Sequence, residues 1–208
     1  MEAARTKSRR EEYSDATREA LLVHSKALFA AHGYNGTSIE DVCSAVRVTR
    51  GALYHHFADK TALFEAVFVR VEEDAARHVE MIARKEPDPL KRFEVGLHAY
   101  LEACSDPAFR RIAIQEAPAA LGLTRFREVD EENAQRLLVL PLAALKRSGE
   151  LDVEDTVLLG RMISAMVWEA ALLLDQAKNQ RRLKRNAVEI VKRTLLGFRA
   201  KRKAPLSR

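Results

Sequence analysis

The chain has 208 residues, 47% of them apolar and 31% charged, with eight glycines and six prolines. That length can bury one or two cores, and the scarcity of turn residues beside long periodic stretches predicts an all-α protein. Two widely separated cysteines, Cys43 and Cys104, read as free thiols and not as a disulfide framework.

No apolar run is long enough to cross a membrane without a charge, and MEAARTKSRREE lacks the apolar centre of a secretion signal, so the cytoplasm is the expected compartment. The net charge of +5 is unevenly placed. Residues 1–60 hold nine Lys/Arg against eight Asp/Glu, whereas residues 181–208 hold eleven against one. Bulk charge therefore makes no argument for a polyanion partner at the N-terminal end.

Residues 1–13 are polar and mixed in sign. Arg5, Lys7, Arg9 and Arg10 have the chemistry of an arm for a phosphate backbone or a minor groove, although composition favours a plain solvated tail. A first helix is expected over about Asp15–His32, with Leu21, Leu22, Ser25, Leu28 and Phe29 inward and Gly33 as its stop.

From Thr37 to Lys60 the sequence reads TSIEDVCSAVRVTRGALYHHFADK: two short helices around a tight turn, then the cap of another. Thr37 with Glu40, or Ser38 with Asp41, can form a capping box. Ile39, Val42 and Val46 share one face. Arg47-Val48 is a turn, Thr49 caps the second helix, and Asp59 caps the next. Leu53 and Phe57 point inward, which leaves Arg50, Gly51, Ala52, Tyr54, His55 and His56 mostly outward. Such a face suits neither solvent nor a core, but it suits a helix lying in the major groove of DNA.

These residues, together with Arg18, Leu21-Leu22, Leu28-Phe29, Gly33-Tyr34, Thr37, Lys60 and Leu63-Phe64, resemble the DNA-binding domain of the TetR family over about residues 14–65. The resemblance implies a three-helix helix-turn-helix domain, residues 1–66, followed by a larger helical domain for effector binding and dimerisation, residues 67–208. It implies that Arg50 reads a base, that Gly51 and Ala52 let the backbone approach, and that Thr37, Thr49, Tyr54, His55, His56 and Lys60 hold phosphates. Arg47 departs from the pattern, because many members have glycine in that turn, where a left-handed backbone is needed.

A fourth helix is expected from Asp59 to about Lys85, with Leu63, Phe64, Val67, Val71, Ala75 and Val79 as its inner stripe. Asp88 and Pro89 open the next helix. Asp106-Pro107 opens another, Pro118 interrupts its successor, and Pro141 kinks a helix that Gly149 closes. The segment Val153–Leu174 is apolar nearly all round and reads as buried on every side. Arg182–Phe198 is amphipathic, with Leu183, Ala187, Ile190, Val191, Thr194, Leu195 and Phe198 inward. In the family the last two long helices pair with their copies, which makes Leu183, Ala187, Ile190, Thr194 and Leu195 the expected dimer contacts. Tyr100 and Trp168 are the expected ligand-pocket residues.

Nothing points to an enzyme, a cofactor or a metal. The chain has no glycine-rich phosphate loop and no nucleophile motif, and two adjacent helical histidines, His55 and His56, cannot both face one ion. The expectation is thus a homodimeric regulator, a repressor released by a small molecule from a partly palindromic operator. Two rivals are a regulator that answers to a partner protein, and a helical ligand-carrying or interaction dimer with a decayed helix-turn-helix. Intact Arg50, Gly51, Tyr54 and Lys60 count against decay.

Overall fold

A computed structural model describes residues 8–199, and no strand occurs among them. Helix α1 runs Arg9–His32, six residues ahead of its expected start. The reason is a capping box at Ser8 and Glu11: the Glu11 N–H donates to the Ser8 hydroxyl at 3.3 Å and the Ser8 N–H donates to the Glu11 carboxylate at 2.8 Å. Arg9 and Arg10 are thus first-turn helical residues and not a free arm. Arg5 and Lys7 lie outside the described residues, as do residues 200–208.

Helices α2 (Ile39–Val46) and α3 (Arg50–His56) follow, and α4 (Lys60–Ala83) continues past the expected boundary at residue 66 without a break. The cap of α2 is Ser38 with Asp41 and not Thr37 with Glu40. Arg47 takes the left-handed conformation, φ 60° and ψ 44°, and is the only non-glycine residue with positive φ among those described. A side chain there strains the backbone by roughly 1–3 kcal/mol.

Beyond α4, Asp88 caps α5 (Pro89–Ala103) and Asp106 caps the short α6 (Pro107–Phe109). Two π-helical turns then interrupt the chain. One, Arg110–Glu116, leads into α7 (Ala117–Leu121), which is followed by α8 (Leu123–Ala134); the other, Gln135–Val139, leads into α9 (Leu140–Arg147). Pro118 and Pro141 stand just after them. A proline has no N–H for the carbonyl four residues back and its ring crowds that carbonyl, so the preceding turn widens. Asp155 caps α10 (Thr156–Leu173), and Asn179 caps α11 (Gln180–Gly197).

Two apolar clusters fill the interior. The first joins α1–α4 to Phe109, Ile112, Ile114, Phe126, Val129 and Leu174, so it crosses residue 66. The second, built on Phe93, Leu97, Leu142, Ile163, Val167, Val188, Val191 and Leu195, holds α5 and α9–α11 together. Cys43 and Cys104 are both buried free thiols.

The last two helices differ from expectation. Helix α10 is long and apolar enough to cross a membrane by composition, yet only a third of it is buried in the chain. Its interior side is Leu159, Gly160, Ile163, Val167, Ala170 and Ala171. Leu158 and Met162 are 56% and 59% exposed, so the helix is not buried on every side. Helix α11 turns Val188, Val191 and Leu195 inward, while Ile190 is 58% exposed and Phe198 38%. Leu195 therefore belongs to the chain's own core and offers no surface to a second chain. An apolar band of Leu158, Met162, Ile190 and their half-buried neighbours Ala187 and Thr194 remains on adjacent helices.

Candidate nucleic-acid interface and interior cavity

Helices α1–α4 hold α3 rigidly. Leu53 is fully buried and Phe57 nearly so, with the Arg18 guanidinium 5.3 Å from the Phe57 ring. The Thr49 hydroxyl accepts from the Ala52 N–H at 3.2 Å and caps α3. Arg50, Gly51, Tyr54 and His55 are exposed, while Ala52 and His56 are half-buried. Nothing within the protein requires Gly51: a Cβ there would meet only the Thr49 hydroxyl oxygen, at 3.8 Å. Glycine inside a helix costs roughly 0.5–1 kcal/mol relative to alanine, so the fold gains nothing from glycine on this open face.

Arg50 is held in place. Its Nη1 lies 2.7 Å from the Glu40 carboxylate, its Nη2 3.5 Å from the Tyr54 hydroxyl, and its guanidinium carbon 5.9 Å from the Tyr54 ring centre. Those contacts raise the already high pKa of the guanidinium, the Tyr54 hydrogen bond contributing most and Glu40 next. Glu40 was not among the expected site residues; as the second residue of α2 it reads from sequence as an ordinary helix-start acid. His56 is held below the usual imidazole value, first by burial and then by the charges of His55 and Arg18. The two histidine rings touch edge to face at 5.2 Å, and no three metal-ligating side chains converge among the described residues.

Two expected phosphate contacts are engaged inside the protein. Thr37 is 2% exposed and its hydroxyl donates to the Gly33 carbonyl at 2.8 Å. A buried hydroxyl with its proton already placed cannot reach a phosphate, so Thr37 is a structural residue here. The Lys60 ammonium donates to the Tyr34 carbonyl at 3.0 Å and the Thr37 carbonyl at 3.2 Å, 4.3 Å from the centre of the Tyr34 ring. It locks the α1–α2 connection onto α4.

That connection is also tied to the C-terminal half. The Tyr34 N–H donates to the Glu116 carboxylate at 2.9 Å, and Arg111 Nη1 donates to the Ala31 carbonyl at 3.2 Å. Glu116 and Arg111 sit in the first π-turn. The arrangement anchors the end of α1 to a segment far along the chain.

Helices α4, α5, α8, α9 and α10 with the second π-turn line a cavity of about 320 Å³. Phe93, Leu97, Leu138, Leu145, Val167 and Trp168 give it apolar walls. Tyr100 and Trp168, the two residues expected from sequence, both line it. So do Asp130, Asn133 and Ser164, which sequence reading missed. Glu72, on α4, is 5% exposed beside them; burial and the nearby Asp130 push its carboxyl up to about 8. Asp130 is also raised, by burial and by Glu131. The Trp168 indole N–H is inaccessible and has no hydrogen-bond partner among the described residues.

Residues 90–198 match the family described as Tetracyclin repressor-like, C-terminal domain, and residues 21–67 match Bacterial regulatory proteins, tetR family. A crystal structure of a TetR-family transcriptional regulator from Pectobacterium atrosepticum superposes with a TM-score of 0.78 at 27% identity, over 95% of this chain and 100% of that one. The repressor AcnR of Corynebacterium glutamicum is 31% identical over 105 residues, 45% of this chain and 54% of the relative. The repressor BepR of Brucella suis is 33% identical over 87 residues, 41% and 42% of the two chains. The chain thus spans about half the length of the curated relatives it matches, or less.

Proposed function

Because the chain belongs to the TetR family of bacterial transcriptional regulators, a family of DNA-binding proteins and not of enzymes, we propose that it is a cytoplasmic homodimeric repressor whose operator affinity falls when a small molecule enters the cavity. The observation that carries the reading is the α3 face: Arg50, Gly51 and Tyr54 stand exposed on a buttressed helix, with a glycine the fold itself does not need. Arginine can bridge the O6 and N7 acceptors of guanine, and tyrosine, histidine and Thr49 can hold flanking phosphates. Lys60 contributes by positioning the turn and adds its charge at the start of α4.

Duplexes selected from a random pool by the wild-type protein test this. Arg50→Ala is expected to lose roughly 1–3 kcal/mol on the selected operator and to relax preference at one base pair. Lys60→Ala is expected to weaken all sequences alike and to lower thermal stability, since two backbone carbonyls lose their donor. Loss of base preference in the Lys60 variant with none in the Arg50 variant would reverse the two roles.

The dimer is supported by the apolar band on α10 and α11. Two reading helices must stand roughly 34–36 Å apart to enter successive major grooves, which a single copy cannot provide. Ile190→Glu is expected to give monomers in sedimentation at micromolar concentration while the helical signal is retained. Leu195→Glu, placed in the core, is expected to unfold the chain instead. A wild-type protein that sediments as a monomer would remove the two-half-site reading.

Release by a ligand needs a mechanical link, and two are present. Helix α4 runs from the Lys60 knot to the cavity wall at Val79. The Glu116–Tyr34 and Arg111–Ala31 bonds join the first π-turn to the end of α1. A ligand acts through them only by its differential affinity for two arrangements, and DNA must weaken ligand binding by the same factor.

A further inference from the structure

We infer that the cavity is built for a lipophilic amine: an aromatic or alkyl body against the apolar walls, with a protonated nitrogen held near Asp130 and Asn133. The inference rests on the proposed effector role of this cavity and adds the chemical class of its occupant.

The first observation is a polar side chain on the cavity wall. Asn133 is 9% exposed, lines the cavity, and its carboxamide makes no hydrogen bond among the described residues. Tyr100, half-buried, lines the cavity beside it, and among the described residues the Trp168 indole N–H is sealed without a partner. Buried polar groups in folded proteins are nearly always paired, because leaving one unpaired costs roughly 1–3 kcal/mol. The Asn133 carboxamide on the cavity wall has an oxygen that can accept from a donor on an occupant.

The second is the sign of the interior. Asp130 lines the cavity, and Glu72 is buried close enough that Asp130, after burial itself, raises its proton affinity. Among the described residues no cation answers Glu72, while Asp130 is eased only in part, by the exposed Arg127 and the Ser164 hydroxyl. Three arginines also line the cavity, all on exposed positions. Arg136 is bonded to Glu80 at 2.8 Å, and Arg92 donates to the carbonyls of Glu86 and Pro87 at 2.8 and 3.2 Å. Arg84 remains at the rim, on the residue that caps the end of α4. A cation inside would therefore meet the Asp130 carboxyl, with Glu72 nearby, and the rings of Tyr100, Trp168 and Phe93, whose faces also attract positive charge.

The third is size. An apolar cavity of ~150 Å³ can hold benzene, so about 320 Å³ has room for a ring with a short chain.

Three matched probes decide the matter by calorimetry on the full chain: 4-phenylbutylamine, 4-phenylbutanol and 4-phenylbutyrate. The amine is expected to bind about tenfold tighter than the alcohol or better, and the carboxylate weakest. Asp130→Asn is expected to bring the amine down to the alcohol's affinity and leave the alcohol unchanged, which also shows that the variant is folded. Tightest binding by the carboxylate would hand control to the rim arginines and overturn the inference. Equal binding of amine and alcohol by the wild type, or no binding of any probe at millimolar concentration, would overturn it too. Selective amine binding with unchanged operator affinity would keep the ligand class and sink only the effector role.

Discussion

Phe64→Ala is expected to lower stability by about 3–5 kcal/mol and the melting temperature by on the order of 10 °C. Phe64 is fully buried in the first turns of α4, and its ring meets Phe29 of α1 at 5.0 Å and Tyr34 at 5.2 Å, both edge to face. Removing it leaves a void where three segments converge: the inner face of α1, the connection to α2, and the helix that leads to the cavity. The Lys60 ammonium and the Thr61 hydroxyl both depend on Tyr34 staying in place, the latter through a 2.8 Å bond to the Tyr34 hydroxyl. Operator affinity is therefore expected to fall at temperatures where far-ultraviolet dichroism still reports full helix. Chemical denaturation giving a loss under about 1 kcal/mol would place this residue outside the core.

Gly33→Ala is expected to be nearly as damaging, for a different reason. Gly33 has φ 76° and ψ 176°, a region that is essentially closed to residues with a side chain and costs of order 1–3 kcal/mol to occupy. A Cβ there would also stand 2.2 Å from one Glu116 oxygen and 2.9 Å from Arg111 Nη2. Glu116 would have to swing away and release the Tyr34 N–H. A total of about 2–4 kcal/mol is expected. A double-mutant cycle with Glu116→Ala checks the geometry, since removing the carboxylate relieves the collision but not the backbone strain. The pair should therefore be less destabilising than the sum of its members. Strict additivity would show that the two residues do not meet.

The helix-turn-helix was legible because its signals are local. Caps at Thr49 and Asp59, the inward Leu53 and Phe57, and the left-handed demand on Arg47 each follow from a few neighbouring residues. What the sequence hid is what depends on distant partners. Thr37 looked free for phosphate because the Gly33 carbonyl that accepts its hydroxyl proton becomes reachable only when the connection folds. Asp130 and Asn133 sit in the stretch VDEENA, which reads as an ordinary solvated face; α8 turns that pair toward the interior. Composition could say that α10 is apolar all round, but not that the chain lacks enough neighbours to cover it.

The two buried thiols make the protein its own stopwatch. Cys43 lies on α2 within the reading helices and Cys104 is the residue that caps the end of α5, each buried, and burial raises the proton affinity of both. A thiol in that condition is alkylated only in the moments when its surroundings open. Both belong to the apolar cluster that crosses residue 66, so the two labelling rates report on opposite ends of one packed interior. Matching labelling rates at the two positions describe a chain that breathes as one unit. Faster labelling at Cys43 describes a reading head that loosens while the body stays closed, and the ratio of the two rates gives the free-energy gap between those events.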